Sequence, residues 1–189
     1  DVSLLVELGS SYSMHNDINL ANDYLTRANK LTPNDALVMA WYNANSAKVS
    51  GASLDFTMGL YKLYTLNRLL GKISEAVELA PNYLTIRLIR LATFANIGQI
   101  NPLFDQVFDD EKWFSNLVEK QGDHLPSEVK SQFYLSMAQA YLFKEDSKKV
   151  QTYLELYQTM PEKKASELEQ FSQLEADFIS IQDADRGAA

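Results

Sequence analysis

Two stretches near opposite ends of this 189-residue chain share one spacing of small and large apolar residues. The first has Leu5, Leu8, Gly9, Tyr12, Ala21, Leu25, Ala28 and Pro33. The second has Tyr134, Met137, Ala138, Tyr141, Val150, Leu154, Tyr157 and Pro161, with the proline one residue early. Small side chains let two helices approach closely, large ones fill the gap, and proline ends a helix. The spacing therefore predicts antiparallel helix pairs.

Apolar residues recur at helical spacing almost throughout the chain, and no stretch alternates as a strand would. The helices predicted from this periodicity cover about 2–15, 18–31, 35–49, 54–80, 83–97, 102–109, 111–121, 127–143, 146–159 and 163–181. Asp17 is expected to cap the second helix, Asn34 or Asp35 the third, and Asp110 the helix that begins near Glu111. The pattern predicts an all-α fold.

The first stretch resembles the tetratricopeptide repeat at every signature position, with Leu5 where tryptophan is commonest. The second resembles it with Ala138 at the first small-residue position. The resemblance implies a short α–α superhelix of about nine or ten helices, forming a single domain over residues 1–182. Its parts are a clear repeat (2–35), a stretched repeat (36–82), a degenerate repeat (83–126), a further repeat (127–162), a capping helix (163–181) and a frayed tail (183–189).

Charge and composition disfavour several classes of partner. Residues 1–100 are neutral overall, so the whole net charge of −8 lies in residues 101–189. An acidic surface repels phosphate groups, which argues against nucleic acid. The longest apolar runs are too short for membrane insertion, and the absence of cysteine excludes disulfides and thiolate metal sites.

The compartment is left open between cytoplasm and periplasm. The sequence begins at Asp1 without a methionine, as a processed or trimmed chain would, and it contains no cysteine. Residues 54–98 also resemble an uncharacterised group of bacterial tetratricopeptide proteins, which are often exported. These features favour an exported, periplasmic protein.

No catalytic, metal or cofactor motif stands out. His15 and His124 each lie beside a turn with no second histidine nearby, so we expect two solvated loop residues. Neither a glycine-rich phosphate loop nor a nucleophile elbow occurs. The run from Asp109 to Glu111 lacks the alternating ligands and central glycine of a calcium loop. We therefore expect a protein without enzymatic activity.

Seven residues form the predicted binding set: Trp41, Tyr42, Asn43, Asn45, Tyr61, Arg87 and Arg90. The aromatic residues are typical binding anchors, although helical-repeat cores use them too. Asn43 and Asn45 could bond a peptide backbone from a concave face. Arg87 and Arg90 lie on one helical face among apolar residues, where they either form internal ion pairs with Glu75, Glu78 or Asp55, or bind an anion.

The leading functional interpretation is binding of a protein or peptide by the concave face of the repeat array. A second interpretation is an accessory protein of a transporter, in which Arg87 and Arg90 hold a small carboxylate. A third is a structural module that associates with itself. The clamp with which some tetratricopeptide domains hold chaperone tails is not expected, because its positions carry Val6, Ser10, Ala40, Ala44 and Leu88.

Overall fold

The computed structural model describes residues 1–52 and 59–187. Those residues form nine α-helices and no β-strand, which confirms the predicted all-α class. The helices are α1 (Val2–Met14), α2 (Ile18–Leu31), α3 (Ala36–Ala52), α4 (Gly59–Leu79), α5 (Leu84–Ile97), α6 (Gln106–Gln121), α7 (Ser127–Phe143), α8 (Ser147–Gln158) and α9 (Ala165–Gly187). Short 3₁₀ helices follow α5 at Gly98–Ile100 and α6 at Gly122–His124.

The chain divides into two compact units, each with its own internal packing. Unit 1 comprises Asp1–Thr93 with Asn101–Leu103, and unit 2 comprises Phe94–Ile100 with Phe104–Ala189. In unit 1, α2 packs against α1 and α3, and α3 also packs against α4. In unit 2, α7 contacts α6, α8 and α9, and α8 contacts α9. From α1 to α4, and from α6 to α9, helices that follow one another in sequence thus pack as neighbours.

Small residues lie where the predicted helix pairs approach most closely. Gly9, Ala21, Ala28 and Ala138 are all buried. A β-carbon added at Gly9 would lie 2.6 Å from Leu25 Cγ and 2.8 Å from Leu25 Cδ2, far inside normal contact. The glycine therefore allows α1 and α2 to pack at their observed distance.

The turn between α1 and α2 has the same geometry as the turn between α7 and α8. Asn16 and Glu145 occupy the left-handed region, with φ of 61° and 57°. The N–H of the following residue donates to a tyrosine carbonyl five positions earlier, Asp17 to Tyr12 at 2.9 Å and Asp146 to Tyr141 at 3.1 Å. This six-to-one bond after a left-handed residue is the Schellman motif, which satisfies carbonyls at a helix end.

The same two aspartates begin the second helix of each pair. Asp17 Oδ1 accepts from Leu20 N at 3.3 Å, and Asp146 Oδ1 accepts from Lys149 N at 3.1 Å. Corresponding residues of the two turns lie 129 positions apart, which is also the offset between the two apolar patterns. Backbone geometry therefore repeats together with the sequence. The cap predicted at Asp17 is confirmed, and Asp35 caps α3.

The prediction of two short helices at 102–109 and 111–121 is wrong. A single helix, α6, covers Gln106–Gln121, and Asp110 lies inside it as a fully buried residue rather than at its N-terminus. Val107, Asp110 and Phe114 share one buried face, so the helical spacing continues through the acidic run. Acidic residues in a first turn also suit the helix dipole, so they do not require a break.

Several other helices differ from their predicted bounds: α1, α5 and α8 differ by one residue at one or both ends, and α3 ends at Ala52 rather than 49. The last helix, α9, continues to Gly187, beyond the predicted end at 181 and through most of the expected frayed tail. Of the long helix predicted at 54–80, residues 59–79 are confirmed, whereas 54–58 lie outside the described residues. No helix in the described part of the chain has the length and apolar character needed to cross a bilayer.

Candidate functional site

One face of α4 carries large side chains that are exposed or, at Glu75, half-buried. Its members recur at helical spacing along the whole helix, and together they are called the α4 stripe: Tyr61, Tyr64, Arg68, Lys72, Glu75 and Leu79. Tyr61 and Tyr64 are 67% and 68% exposed, and among the other large apolar and aromatic residues described only Ile100 is as exposed, at 68%. Leu79, at the other end, is 57% exposed.

The sequence of α4 explains why this face is left outside. The opposite face is buried in unit 1 and carries Leu69, Leu70, Ile73, Ala76 and Val77. A single helix cannot bury both faces against one neighbour, and α3 packs on this helix. The core residues therefore fix the direction of the α4 stripe, and exposed tyrosines on a rigid helix form a typical anchor surface.

The charges of the α4 stripe are arranged in order along the helix. Residues 59–72 contain three basic side chains and no acidic one, whereas Glu75 and Glu78 follow in the last two turns. Lys72 Nζ donates to Glu75 Oε2 at 2.5 Å on the exposed surface. The stripe thus presents aromatic, basic, acidic and aliphatic side chains in succession.

Of the predicted binding residues, Tyr61 belongs to the α4 stripe. Trp41 is half-buried and packs against a core cluster of Leu5, Val6 and Ala28 with Val38. Tyr42 is also half-buried. Trp41 therefore contributes to the core of unit 1, as aromatic residues of helical repeats commonly do.

Asn43 and Asn45 are buried in unit 1. Asn43 Nδ2 donates to Met39 O at 2.7 Å within its own helix, and Asn45 Nδ2 donates to Ile18 O at 3.1 Å at the start of α2. The condition under which they would bind a peptide, exposure on a concave face, is not met. Their amides instead satisfy backbone carbonyls inside the fold.

Arg87 and Arg90 differ in exposure, Arg87 being half-buried and Arg90 buried. Arg87 Nε donates to Pro81 O at 2.5 Å. Both arginines have further interactions within the chain, so neither is without a partner. Asp55, one of the ion-pair partners predicted from the sequence, lies outside the described residues.

The positions that correspond to the chaperone-tail clamp are largely closed. Val6, Ala40 and Ala44 are buried, and Ser10 and Leu88 are half-buried. They therefore offer little surface to a ligand.

A partly buried network of hydrogen bonds and stacked rings in unit 2 joins α6, α7 and α8. Tyr141 Oη donates to Glu111 Oε2 at 2.7 Å, and Tyr153 Oη donates to Glu111 Oε1 at 2.6 Å. The two rings stack with centroids 5.9 Å apart, and Lys149 Nζ lies 5.5 Å from the Tyr141 ring centroid. Burial, together with the Glu111 carboxylate, raises the pKa of both tyrosines, so their hydroxyls remain donors.

Lys48 makes a second unpredicted polar contact, in unit 1. Its Nζ donates to Ser13 O at 3.1 Å and to Ser13 Oγ at 3.3 Å, near the C-terminal end of α1. Desolvation lowers the pKa of Lys48 below its ordinary value. A cation at this helix end interacts favourably with the helix dipole, so Lys48 helps to fix α3 on α1.

His15 and His124 are exposed beside turns, as expected, and His15 Nδ1 lies 2.8 Å from Ser11 O. Across residues 1–52 and 59–187, no cluster of three or more histidine, aspartate or glutamate side chains could hold a metal ion. The α4 stripe is therefore the candidate site with the clearest functional geometry.

Comparison of the chain with protein-family models, curated proteins and solved structures gives no match.

Proposed function

We propose that this chain is a non-catalytic, tetratricopeptide-like module that binds another polypeptide through the α4 stripe. The observation that carries the proposal is the exposure of Tyr61 and Tyr64, one helical turn apart, on a helix whose opposite face is anchored in the core. Tyrosine gives a large contact area at low entropic cost, because it has few rotatable bonds. The repeated turn geometry supports the tetratricopeptide-like assignment.

The chemistry of the α4 stripe specifies the partner. The tyrosines require apolar side chains opposite them, and Arg68 with Lys72 requires carboxylates nearby. Because the stripe follows one straight helical face, its complement is a helix with apolar and acidic residues about one turn apart. The proposed binding surface is therefore the outside of α4 rather than the concave positions expected from the sequence, several of which are buried.

Selection from a displayed library of helical peptides tests this proposal. We expect the selected peptides to be rich in Asp and Glu with interleaved apolar residues, and to lose most of their affinity for the Tyr61→Ala/Tyr64→Ala variant. Removing two aromatic anchors costs on the order of 2 kcal/mol or more, about thirtyfold in affinity.

The matched control is Leu4→Ala/Leu31→Ala, which removes two exposed apolar side chains elsewhere in unit 1. It should bind the selected peptides as the unaltered chain does. Peptides that bind the tyrosine variant with full affinity would refute the assignment of the surface.

A further inference from the structure

Two copies of the α4 stripe place complementary side chains opposite each other when the helices run antiparallel. Its first half carries tyrosines and then Arg68, and its second half carries Glu75 and then Leu79. If two such helices lie antiparallel with Arg68 opposite Glu75 of the second copy, then Tyr64 lies opposite Leu79 of that copy. Both pairs occur twice, because a two-fold axis repeats every contact.

We propose that the partner of the α4 stripe is a second copy of this chain, bound through antiparallel α4 helices about a two-fold axis. This inference rests on the proposed function and names its partner. The charge complementarity of Arg68 and Glu75 sets the register, and apolar contacts of Tyr64 with Leu79 lie on either side. Within each copy, Lys72 already contacts Glu75, so the charges form a network across the axis.

The two positions nearest the axis are Gly71 and Lys72, which this register places opposite each other. No neighbouring atom lies within 4 Å of a β-carbon added there, so the surface of α4 is open at this point. A glycine on a helix surface lets a second helix approach closely, as small residues do at other helix crossings. A residue without a side chain thus lies beside the α4 stripe, next to the axis of the two antiparallel copies.

The size of the contact predicts weak, reversible association. A helix of 21 residues is about 31 Å long, so one helix pair buries an area at the lower end of specific interfaces. We therefore expect a monomer–dimer equilibrium in the micromolar range. Raising the salt concentration should shift it toward monomer, because the central contacts are exposed ion pairs.

Charge reversal, followed by sedimentation velocity of the full chain, tests the inference. Arg68→Glu places like charges opposite Glu75, and Glu75→Arg places like charges opposite Arg68, so each variant should dimerise at least about tenfold more weakly than the unaltered chain. Both residues are on the surface of α4, and circular dichroism should show an unchanged helical fold.

Mixing the two variants provides the decisive comparison. A heterodimer of Arg68→Glu with Glu75→Arg pairs opposite charges at both contacts, so the equimolar mixture should dimerise more strongly than either variant does alone. The double variant Arg68→Glu/Glu75→Arg should recover the behaviour of the unaltered chain. A mixture that remains as monomeric as its components would overturn the proposal.

Disulfide trapping tests the two-fold axis independently, because the chain has no cysteine of its own. Gly71→Cys should form a covalent dimer under mild oxidation, whereas Ser172→Cys, on the exposed surface of α9, should not do so above background. Equal trapping at both positions contradicts the arrangement. If the unaltered chain is monomeric but still binds selected peptides through Tyr61 and Tyr64, self-association fails while the proposed function stands.

Discussion

Gly9 shows how one absent side chain sets the distance between two helices. Leu25 is fully buried and occupies the space into which a β-carbon at position 9 would project. Gly71, also inside a helix, has open space around the same position. Glycine is therefore required for close packing at position 9, whereas at position 71 it only lowers helix propensity.

We predict opposite effects for the same substitution at these two positions. Gly9→Ala should lower the free energy of unfolding by about 1–2 kcal/mol, because overpacking against Leu25 exceeds the gain in helix propensity. Gly71→Ala should raise it by up to about 1 kcal/mol. Urea denaturation of both variants measures the effects, and a stabilising Gly9→Ala would show that the helices are not held this closely.

Glu111 is a second point where one residue organises its surroundings. Its two carboxylate oxygens accept from hydroxyls on two different helices, which links α6 to α7 and α8. Hydrogen bonds to a charged group contribute about 1.5–3 kcal/mol when partly buried. Burial, together with these bonds, raises the pKa of Tyr141 and Tyr153, so the network should affect stability in alkaline solution.

We predict that the raised pKa of these two tyrosines lowers the free energy of unfolding as the pH rises. Above pH of about 10 the unfolded tyrosines lose their protons, whereas Tyr141 and Tyr153 keep theirs in the folded chain. The folded state then binds more protons, so the free energy of unfolding falls by up to about 1.4 kcal/mol per pH unit for each tyrosine. Tyr153→Phe should show a shallower fall in urea denaturation between pH 9 and 11, roughly the window that the ordinary tyrosine pKa defines.

The control for this measurement is Tyr64→Phe, which removes a hydroxyl from an exposed tyrosine. It should retain the slope of the unaltered chain. Lys48 contributes an opposite slope, because its lowered pKa leaves the unfolded state with more protons, but that contribution is common to all three proteins. If the free energy of unfolding falls equally steeply with pH in both phenylalanine variants, the network of Glu111 and Tyr153 does not cause the alkaline loss of stability.

At the scale of elements, the turns of the α1–α2 and α7–α8 pairs resemble each other more closely than the helices of those pairs do. The second helix of the first pair has small buried residues at Ala21 and Ala28, whereas its counterpart has Val150 and Tyr157. The left-handed residue, the six-to-one bond and the aspartate cap are nevertheless the same in both turns. Turn geometry tolerates less variation, because the backbone must reverse within three residues.

Glu145 occupies its left-handed conformation at a cost that glycine would not incur. We predict that Glu145→Gly raises the free energy of unfolding by about 0.5–1 kcal/mol and the melting temperature by a few degrees. Glu175→Gly, inside α9, is the comparison and should lower stability by about 1 kcal/mol. Thermal unfolding by circular dichroism distinguishes them, and a loss of stability in both would contradict the assigned turn.

Most helices could be predicted from the sequence because their apolar spacing, proline breaks and aspartate caps agree. Helix α7 matches its predicted bounds at both ends, and α2 does as well. The two helices predicted in place of α6 fail for a physical reason: Asp110 is expected to cap a helix that begins near Glu111, but it is buried on a continuous helical face. Fully buried carboxylates are rare in proteins, so the sequence favours an exposed helix end for Asp110.

The candidate site was predictable only in part. The aromatic ring of Tyr61 is sufficient to predict it as a binding residue. Asn43, Asn45 and Arg90 are buried. Burial depends on contacts between residues far apart in sequence, which periodicity does not give. Arg68, Lys72 and Leu79 were missed as surface residues, although their spacing from Tyr61 follows one helical face. Since α4 is apolar on more than one side, periodicity alone could not show which face α3 covers.

At the scale of the whole molecule, the acidic excess and the α4 stripe occupy different parts of the chain. The net charge of −8 lies in residues 101–189, whereas the first fourteen residues of α4 carry only basic charges. For the proposed partner, we expect its carboxylates to be attracted to the basic residues of α4 rather than to the acidic residues 101–189. Electrostatics of this kind chiefly improves specificity and the rate of association.

The most direct test of the account is hydroxyl-radical footprinting of the full chain, with and without a selected acidic helical peptide. At a protein concentration low enough to keep the chain monomeric, the account predicts that oxidation of Tyr61 and Tyr64 falls when the peptide binds. Met14, which is 62% exposed on α1, should remain equally reactive and serves as the internal reference. Bound peptide that leaves both tyrosines fully reactive would contradict the claim that α4 is the binding surface.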